Sequence, residues 1–207
     1  MDNQIEQVAR DALGFMPESE GRALYEVALR APGAYQWVEI GSYCGKSAIY
    51  LETAAREVGT VLYSIDHHRG SEEHQVGEEY HEPRLVDPAT GRVDTLPEFR
   101  ATIGRAGLEE VVLGIAGESA ALAAVWTTPL SLVFIDGRHS REAAHDDYEG
   151  WTPHIVPSGL LVIHDVFIDP ADGGRPPFEI YRRALESASF EEVRAEGSLR
   201  ALRRTAD

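Results

Sequence analysis

Cysteine and positive charge are both scarce in this chain. Its one cysteine, Cys44, allows no internal disulfide and excludes a metal site built from thiolates. A bound metal ion therefore has to use oxygen and imidazole ligands. Lys and Arg number 19 against 35 Asp and Glu, and the formal charge of −16 opposes the phosphates of nucleic acid and an anionic membrane surface. We expect neither nucleic acid nor a membrane as a partner.

Long apolar runs are also missing. No stretch reaches 18 consecutive apolar residues, so no membrane-spanning helix is predicted. The beginning of the sequence has no basic segment leading into an apolar one. These absences favour a cytoplasmic protein. The length of 207 residues suffices for one well-buried domain, predicted to cover residues 1–207.

The chain does contain a regular alternation of short β-branched apolar runs with helical patterns. This alternation is typical of the α/β class and predicts a Rossmann-like, doubly wound, mostly parallel seven-stranded sheet, with helices on both faces and a C-terminal antiparallel hairpin. The predicted strands cover residues 37–40, 61–66, 111–116, 130–136, 160–165, 190–195 and 199–204. The predicted helices cover residues 3–13, 18–30, 45–57, 96–106, 119–126, 140–151 and 178–188, the first two forming a helical N-terminal cap over residues 1–33.

The main irregular segment runs over residues 67–94. It is rich in histidine and acidic side chains and contains the turn signal Asp87-Pro88. A loop of this length inside a compact domain is usually functional, so we predict a lid that contacts the substrate. The sequence leaves open a homodimer with this loop and helices 3–30 at its interface.

A glycine turn follows the first predicted strand. A dinucleotide site needs G-x-G-x-x-G, but Tyr43 stands at the second glycine position, between Gly41 and Gly45, which argues against NAD. Glu39 at the end of the strand suits a cationic amino group, and Asp66 at the end of the next strand suits the hydroxyls of a ribose. S-adenosylmethionine carries both groups and no phosphate. The alternative is a tight turn with no ligand.

Three polar residues follow two later apolar runs. Asp136 precedes His164 and Asp165 by 28 and 29 residues, an interval that suits two parallel strands joined by one helix. Their side chains are therefore expected to converge on one divalent ion, Mg²⁺ or Mn²⁺. The alternative is that the aspartates only cap the helix or turn that follows each strand.

The segment VEIGSYCGKSA resembles motif I of the class I S-adenosylmethionine-dependent methyltransferases, and is most similar to the metal-dependent catechol O-methyltransferase group. The resemblance extends over about residues 18–204. It implies a metal held by Asp136, His164 and Asp165, with His164 standing where the family has an acid. The cofactor-binding residues that it implies, together with the acids discussed above, are Glu39, Gly41, Ser42, Gly45, Ser47, Asp66, His67, Ser119 and Asp136.

The same resemblance indicates the general base. The family places it three residues past the first metal ligand, which is His139 here. A histidine has a pKa near neutrality and suits this role, with His145 as the reserve candidate. His139 is equally well placed to line a loop or cap the helix that follows.

Two further likenesses concern the acceptor. FIDGRHS and GLLVIHD are similar to segments of bacterial sugar O-methyltransferases of the macrolide and aminocoumarin pathways. SIDHHRGSEEHQ and DPATGRVDTLPEFR resemble an actinobacterial branch that includes an enzyme methylating a mannoside in methylmannose polysaccharide synthesis. The implied acceptor is a small sugar or oligosaccharide, such as a (3-O-methyl)mannoside. A catechol or phenol acceptor, a nicotinamide oxidoreductase and a non-catalytic nucleotide-binding scaffold are the alternatives.

Overall fold

The computed structural model describes residues 1–33, 35–78, 80–138 and 140–205. Among them, seven strands form one sheet: β1 Gln36–Ile40, β2 Leu62–Asp66, β3 Val112–Ala116, β4 Leu130–Ile135, β5 Ile155–Ile163, β6 Phe190–Glu196 and β7 Leu199–Arg204. Their order is β3-β2-β1-β4-β5-β7-β6. The first five strands run parallel, and β7 pairs antiparallel with β5 and β6. The predicted doubly wound sheet with its C-terminal hairpin is confirmed.

Helices cover both faces of this sheet, as predicted. The described residues form α1 Asn3–Asp11, α2 Glu18–Ala28, α3 Lys46–Val58, α4 Leu96–Ala106, α5 Ser119–Ala123, α6 Arg141–Trp151 and α7 Pro176–Glu186. Helices α1 to α4 bury their apolar sides against one face, and α5 to α7 cover the other. The central strand β4 is buried along its whole length, as expected for a parallel strand covered on both sides.

Two strands end earlier than the sequence predicts. Strand β4 ends at Ile135 and β5 at Ile163, so the predicted metal ligands are the first residues of the following loops. Asp165 has φ 57, a left-handed conformation that few non-glycine residues adopt. This backbone turn ends the pairing of β5 and is the reason that the strand stops short of the acid.

Strand β5 also begins earlier than predicted. It starts at Ile155 and includes an irregularity at Ser158, which has φ 65, and at Gly159. The register with β4 shifts between Leu130 and Leu132 at the same place. Ser158 and Gly159 therefore form a bulge inside a strand that is longer than the predicted one.

The predicted N-terminal cap consists of α1 and α2, and its position depends on a close helix contact. Gly21 of α2 packs against the ring of Tyr50 in α3, where a Cβ on Gly21 would lie 2.2 Å from a ring carbon. Tyr50 is itself fully buried, so the ring has no free space to move into. A glycine is therefore needed here, and it lets α2 approach the carboxyl edge of the sheet.

The long segment 67–94 is folded onto the glycine turn. It contains two short 3₁₀ helices, Glu72–His74 and Pro83–Leu85. A single antiparallel bridge joins Val86 to Val93. Leu85 and Val93 are buried against Cys44 of the glycine turn. The segment thus forms one wall of the space above that turn. In the described part of the chain, no helix combines the length and apolar character needed to cross a membrane.

The substitution Gly21→Ala tests the contact between α2 and α3. We expect it to lower the free energy of unfolding by about 1–3 kcal/mol, because the added methyl overlaps a buried ring. The control is Gly104→Ala in α4, which gains the same helix propensity at an exposed site and is expected to stabilise by up to about 1 kcal/mol. Urea unfolding measures both changes. Equal stabilisation of both variants would contradict the contact.

Candidate active site

A cavity of about 500 Å³ opens at the carboxyl ends of β1, β2, β4 and β5. This is the edge of a doubly wound sheet at which ligands usually bind. Its walls come from the connection between α1 and α2, the glycine turn, the segment 67–94 and the loop after β5. Among the described residues, eight acidic side chains line it against one lysine and one arginine, Lys46 and Arg138. The acids are Asp66, Glu73, Glu118, Asp136, Asp146, Asp147, Asp165 and Asp172. The cavity therefore favours cations over anions.

The glycine turn brings two strand ends together. Gly41 has φ 89, and a Cβ there would lie 2.1 Å from the backbone oxygen of Asp136. Gly45 also has a positive φ, but it faces Phe99 and Ile103 of α4 and does not line the cavity. Gly41 thus makes the approach to the β4 end possible, whereas Gly45 lets α3 pack against α4.

Glu39 joins the start of α3 to β2 next to the glycine turn. It is fully buried and lies outside the cavity lining. Its Oε1 accepts a hydrogen bond from Ser47 at 2.6 Å, and its Oε2 accepts one from Ser64. Burial raises the pKa of Glu39 to about 7, against the opposing effect of these two hydrogen bonds. The carboxyl group predicted to face a cofactor amine is therefore occupied by serine hydroxyls.

Asp66 faces the cavity from the end of β2, as predicted. One carboxylate oxygen accepts the backbone N–H of Tyr43 at 2.8 Å and the other accepts that of His68 at 2.7 Å. The bond to Tyr43 ties the glycine turn to β2, and both bonds orient the acid. His67 lines the cavity beside it, and its Nδ1 accepts the backbone N–H of Arg69 at 2.9 Å. Each carboxylate oxygen keeps a second lone pair for a hydroxyl of a ligand.

Ser119, the predicted adenine contact, lines the cavity after β3. Its Oγ accepts a hydrogen bond from Trp151 Nε1 at 2.7 Å. It also bonds to the carboxyl group of Asp147, whose pKa burial raises to about 6 against the lowering effect of this bond. Because the Ser119 hydroxyl is used within the protein, its backbone N–H is the group left for a ligand.

Asp136, His164 and Asp165 meet at one side of the cavity. Each offers a ligand atom, and these atoms lie within 4.8 Å of one another. His164 Nδ1 is 3.0 Å from Asp136 Oδ1 and 3.4 Å from Asp165 Oδ1. Ligands at right angles and about 2.1 Å from a shared Mg²⁺ are about 3 Å apart, so the separations of Nδ1 from the two carboxylates suit one divalent ion. The three side chains thus lie together, as the spacing predicts, while the binding of an ion by them stays a prediction.

Glu20 contacts the other side of the His164 ring. Its Oε2 lies 2.5 Å from Nε2, and both side chains are about 5% exposed. Burial acts to lower the pKa of His164, but the charge of Asp136, with Glu20 and Asp165, outweighs it and raises the pKa to about 11. Without a bound ion, the protonated imidazole is the cation that neutralises the surrounding carboxylates.

The two predicted general bases are His139 and His145. His139 lies outside the described residues; Gly137 and Arg138 before it line the cavity. His145 is on α6 and does not line the cavity. Its Nε2 is 3.2 Å from Glu179 and its Nδ1 is 3.3 Å from Arg183, both on α7. Because both ring nitrogens are held in this surface network, the structure does not bring His145 to the site.

Several cavity residues were not predicted. Phe15, from the connection between α1 and α2, lies 5.1 Å from the ring of Tyr80 and 5.6 Å from that of His74. Tyr43 stacks on His74 at 4.8 Å and completes an aromatic wall of four rings. Glu20, which contacts His164 behind the cavity lining, was not predicted either. No motif in the sequence marks Phe15 or Glu20, because they reach this region from the N-terminal helices, far from the other residues in the chain.

The comparison with known families identifies the chain. A family model described as "Methyltransferase domain" matches residues 38–166, more than half of the sequence. The chain belongs to this methyltransferase family. The matched segment contains the glycine turn, Asp66 and the cluster of Asp136, His164 and Asp165, so the family region and the cavity coincide.

Solved structures share the fold of this methyltransferase. The O-methyltransferase NovP aligns with a TM-score of 0.69 and 16% identity, over 91% of this chain and 81% of that one. TomG from Streptomyces achromogenes aligns with a TM-score of 0.65 and 15% identity, over 100% and 91%. An O-methyltransferase from Bacillus cereus aligns with a TM-score of 0.63 and 16% identity, over 99% and 92%. At these identities the likeness is one of fold.

Asp66 can be tested by binding. We expect Asp66→Ala to weaken the binding of S-adenosylhomocysteine at least about tenfold, because the variant loses the hydrogen bond that holds the glycine turn at Tyr43 and an acceptor for the ribose. The control is Asp87→Ala, which also removes an acid that accepts a backbone N–H but lies outside the cavity. Isothermal titration calorimetry measures both. Equal affinity in the two variants would remove Asp66 from the binding site.

The raised pKa of Asp147 predicts a pH-dependent stability. Its folded-state pKa, about 6, exceeds the ordinary value of 3.8, so the folded protein binds the proton more tightly than the unfolded chain does. The bound proton therefore stabilises the folded state. This stabilisation is complete below pH 4 and is lost as the pH rises through 6. Asn cannot titrate, so the variant does not lose this contribution. We therefore expect the free energy of unfolding of Asp147→Asn, relative to that of wild type, to rise by up to about 3 kcal/mol between pH 4 and pH 7. Urea unfolding at intervals of one pH unit measures the difference, and a constant difference would contradict the assignment.

Proposed function

We propose that this methyltransferase transfers a methyl group from S-adenosylmethionine to a hydroxyl group of a small sugar, with Mg²⁺ or Mn²⁺ bound beside the cofactor. The observation that carries the proposal is the convergence of Asp136, His164 and Asp165 next to the glycine turn. The proposal is supported by the aligned structures, three of which are O-methyltransferases and two of which are complexes with S-adenosylmethionine or S-adenosylhomocysteine.

The cavity residues divide between the two ligands. The segment Gly41 to Ser42 and Asp66 suit the cofactor, since they combine backbone groups with a carboxylate for the ribose. Ser47 lines the cavity at the start of α3 and completes this side. The excess of acids suits the positive charge of the sulfonium and ammonium groups. Asp136 lies at the boundary, where donor and acceptor have to meet.

Asp136 and Asp165 would hold the ion, with Nδ1 of His164 as the third donor. A divalent ion in this position supplies Lewis-acid chemistry, which lowers the pKa of an acceptor hydroxyl and directs its oxygen. In the transfer, the bond between sulfur and the methyl carbon breaks, a bond between carbon and oxygen forms, and S-adenosylhomocysteine is released. The hydroxyl proton has to leave, and His139 remains the proposed base from its place in the sequence.

The acceptor is expected to be neutral, because an anionic substrate would be repelled by the acidic cavity. A sugar presents vicinal hydroxyls to the ion and an apolar C–H face to the aromatic wall of Phe15, Tyr43, His74 and Tyr80. The resemblance of the sequence to mannoside methyltransferases favours a (3-O-methyl)mannoside. The same aromatic wall gives a specific reason to keep a catechol or phenol as the second candidate, since a planar ring would stack on it.

The proposed reaction predicts a dependence on both the ion and Asp136. Formation of S-adenosylhomocysteine is measured with a panel of mannosides, other sugars and catechols, each with Mg²⁺ and with EDTA. We expect turnover of a sugar that EDTA abolishes and that Asp136→Ala reduces at least about 100-fold in kcat/KM, because the ion loses a charged ligand. The control is Asp169→Ala, an exposed acid outside the cavity.

Two other outcomes would contradict the proposal. Turnover that persists in EDTA would mean that Asp136 and Asp165 have a structural role and bind no essential ion. Turnover of catechols and of no sugar would replace the sugar with the second candidate.

A further inference from the structure

Glu20 is a buried acid that the proposed reaction does not use directly. It belongs to α2, yet it contacts His164, which is 144 residues later in the chain. Both side chains are almost completely excluded from solvent. A buried carboxylate is costly unless it is hydrogen-bonded, so its partners at this position require an explanation.

Three donors hold the Glu20 carboxylate in place. Its Oε1 accepts the backbone N–H of Ser198 at 2.7 Å. Its Oε2 accepts the Ser198 hydroxyl at 3.1 Å as well as Nε2 of His164. The neighbouring Gly21 fixes α2 against Tyr50. The carboxylate is thus positioned by both the N-terminal cap and the turn between β6 and β7.

This arrangement decides which edge of the imidazole faces the cluster. Since Nε2 is directed to Glu20, Nδ1 is directed to Asp136 and Asp165, at 3.0 and 3.4 Å. A ring turned over by 180° would exchange Nδ1 with Cδ2 and Nε2 with Cε1, and would therefore present carbon atoms to both Asp136 and Glu20. Histidine ligands of metal ions commonly depend on an outer carboxylate in this way, because it sets both ring orientation and tautomer.

We propose that Glu20 is a positioning residue for the ion site, holding His164 through Nε2 so that Nδ1 can join Asp136 and Asp165 as a ligand. This inference rests on the proposed function, because it assumes that the cluster binds a divalent ion. The N-terminal cap would then supply a residue that positions an ion ligand, although no sequence motif marks this residue.

The test measures ion binding without any reaction. Mn²⁺ is titrated into the purified protein with no acceptor, and free Mn²⁺ is followed by electron paramagnetic resonance. We expect Glu20→Ala to weaken Mn²⁺ binding about 10–100-fold, the usual effect of removing an outer-shell partner. Glu20→Gln is expected to recover most of the affinity, to within about fivefold of wild type, because its amide oxygen can accept from Nε2.

The matched control is Ser198→Ala. It removes the hydroxyl that bonds to the same Oε2 but leaves the contact with His164. We expect its Mn²⁺ affinity to stay within about twofold of wild type. A second readout needs no ion: proton NMR of ¹⁵N-labelled protein should show a slowly exchanging Nε2–H of His164 in wild type and Ser198→Ala, and none in Glu20→Ala.

The two proposals fail separately. If the wild-type protein binds no Mn²⁺, the ion is removed from the proposed function and this inference falls with it. If wild type binds and folded Glu20→Ala binds equally well, only the role of Glu20 is overturned. Should Glu20→Ala fail to fold, Glu20→Asp keeps the charge but shortens its reach, and an affinity equal to wild type would overturn the role in the same way.

Discussion

The contact between Gly41 and the backbone of Asp136 is the constraint on which the rest of the site depends. Any side chain at residue 41 would overlap that backbone, where a Cβ would be only 2.1 Å from the carbonyl oxygen. The contact joins the ends of two central parallel strands and sets the glycine turn directly beside the acidic cluster. A methyl group is transferred only between atoms within bond-forming distance, which is why the proposed cofactor and acceptor sites meet at this boundary.

The acids around the cavity have different environments and therefore different properties. Glu39 and Asp147 are buried and bonded to serine hydroxyls, and burial raises the pKa of each. Asp136 and Asp165 are only partly buried and open to the cavity. The first pair supports loops, and the second is available to a ligand. Residue type alone does not separate these roles, because the difference lies in solvent access and hydrogen-bond partners.

Much of the fold follows from local patterns. Every predicted strand and helix is present, because apolar periodicity and turn residues act over neighbouring positions. The errors occur at element ends, as at Ser158, where a turn-forming sequence is accommodated as a bulge within β5. In the site, Asp66, Asp136, His164 and Asp165 lie at strand ends beside the cavity, as predicted. The carboxyl group of Glu39 and the imidazole of His145 do not line the cavity, because they are bonded to Ser47 and Glu179.

The sequence by itself determined the succession of strands and helices along the chain and the convergence of three donors, because each depends on spacing along a regular α/β chain. Tertiary structure alone decided which nitrogen of His164 faces the cluster and which rings form the cavity wall. Those choices depend on Glu20, Phe15 and Tyr80, which reach the site only after α2 and the long loop have packed. Contacts between residues far apart in the chain leave no periodic signal, since neither partner constrains the residues next to the other.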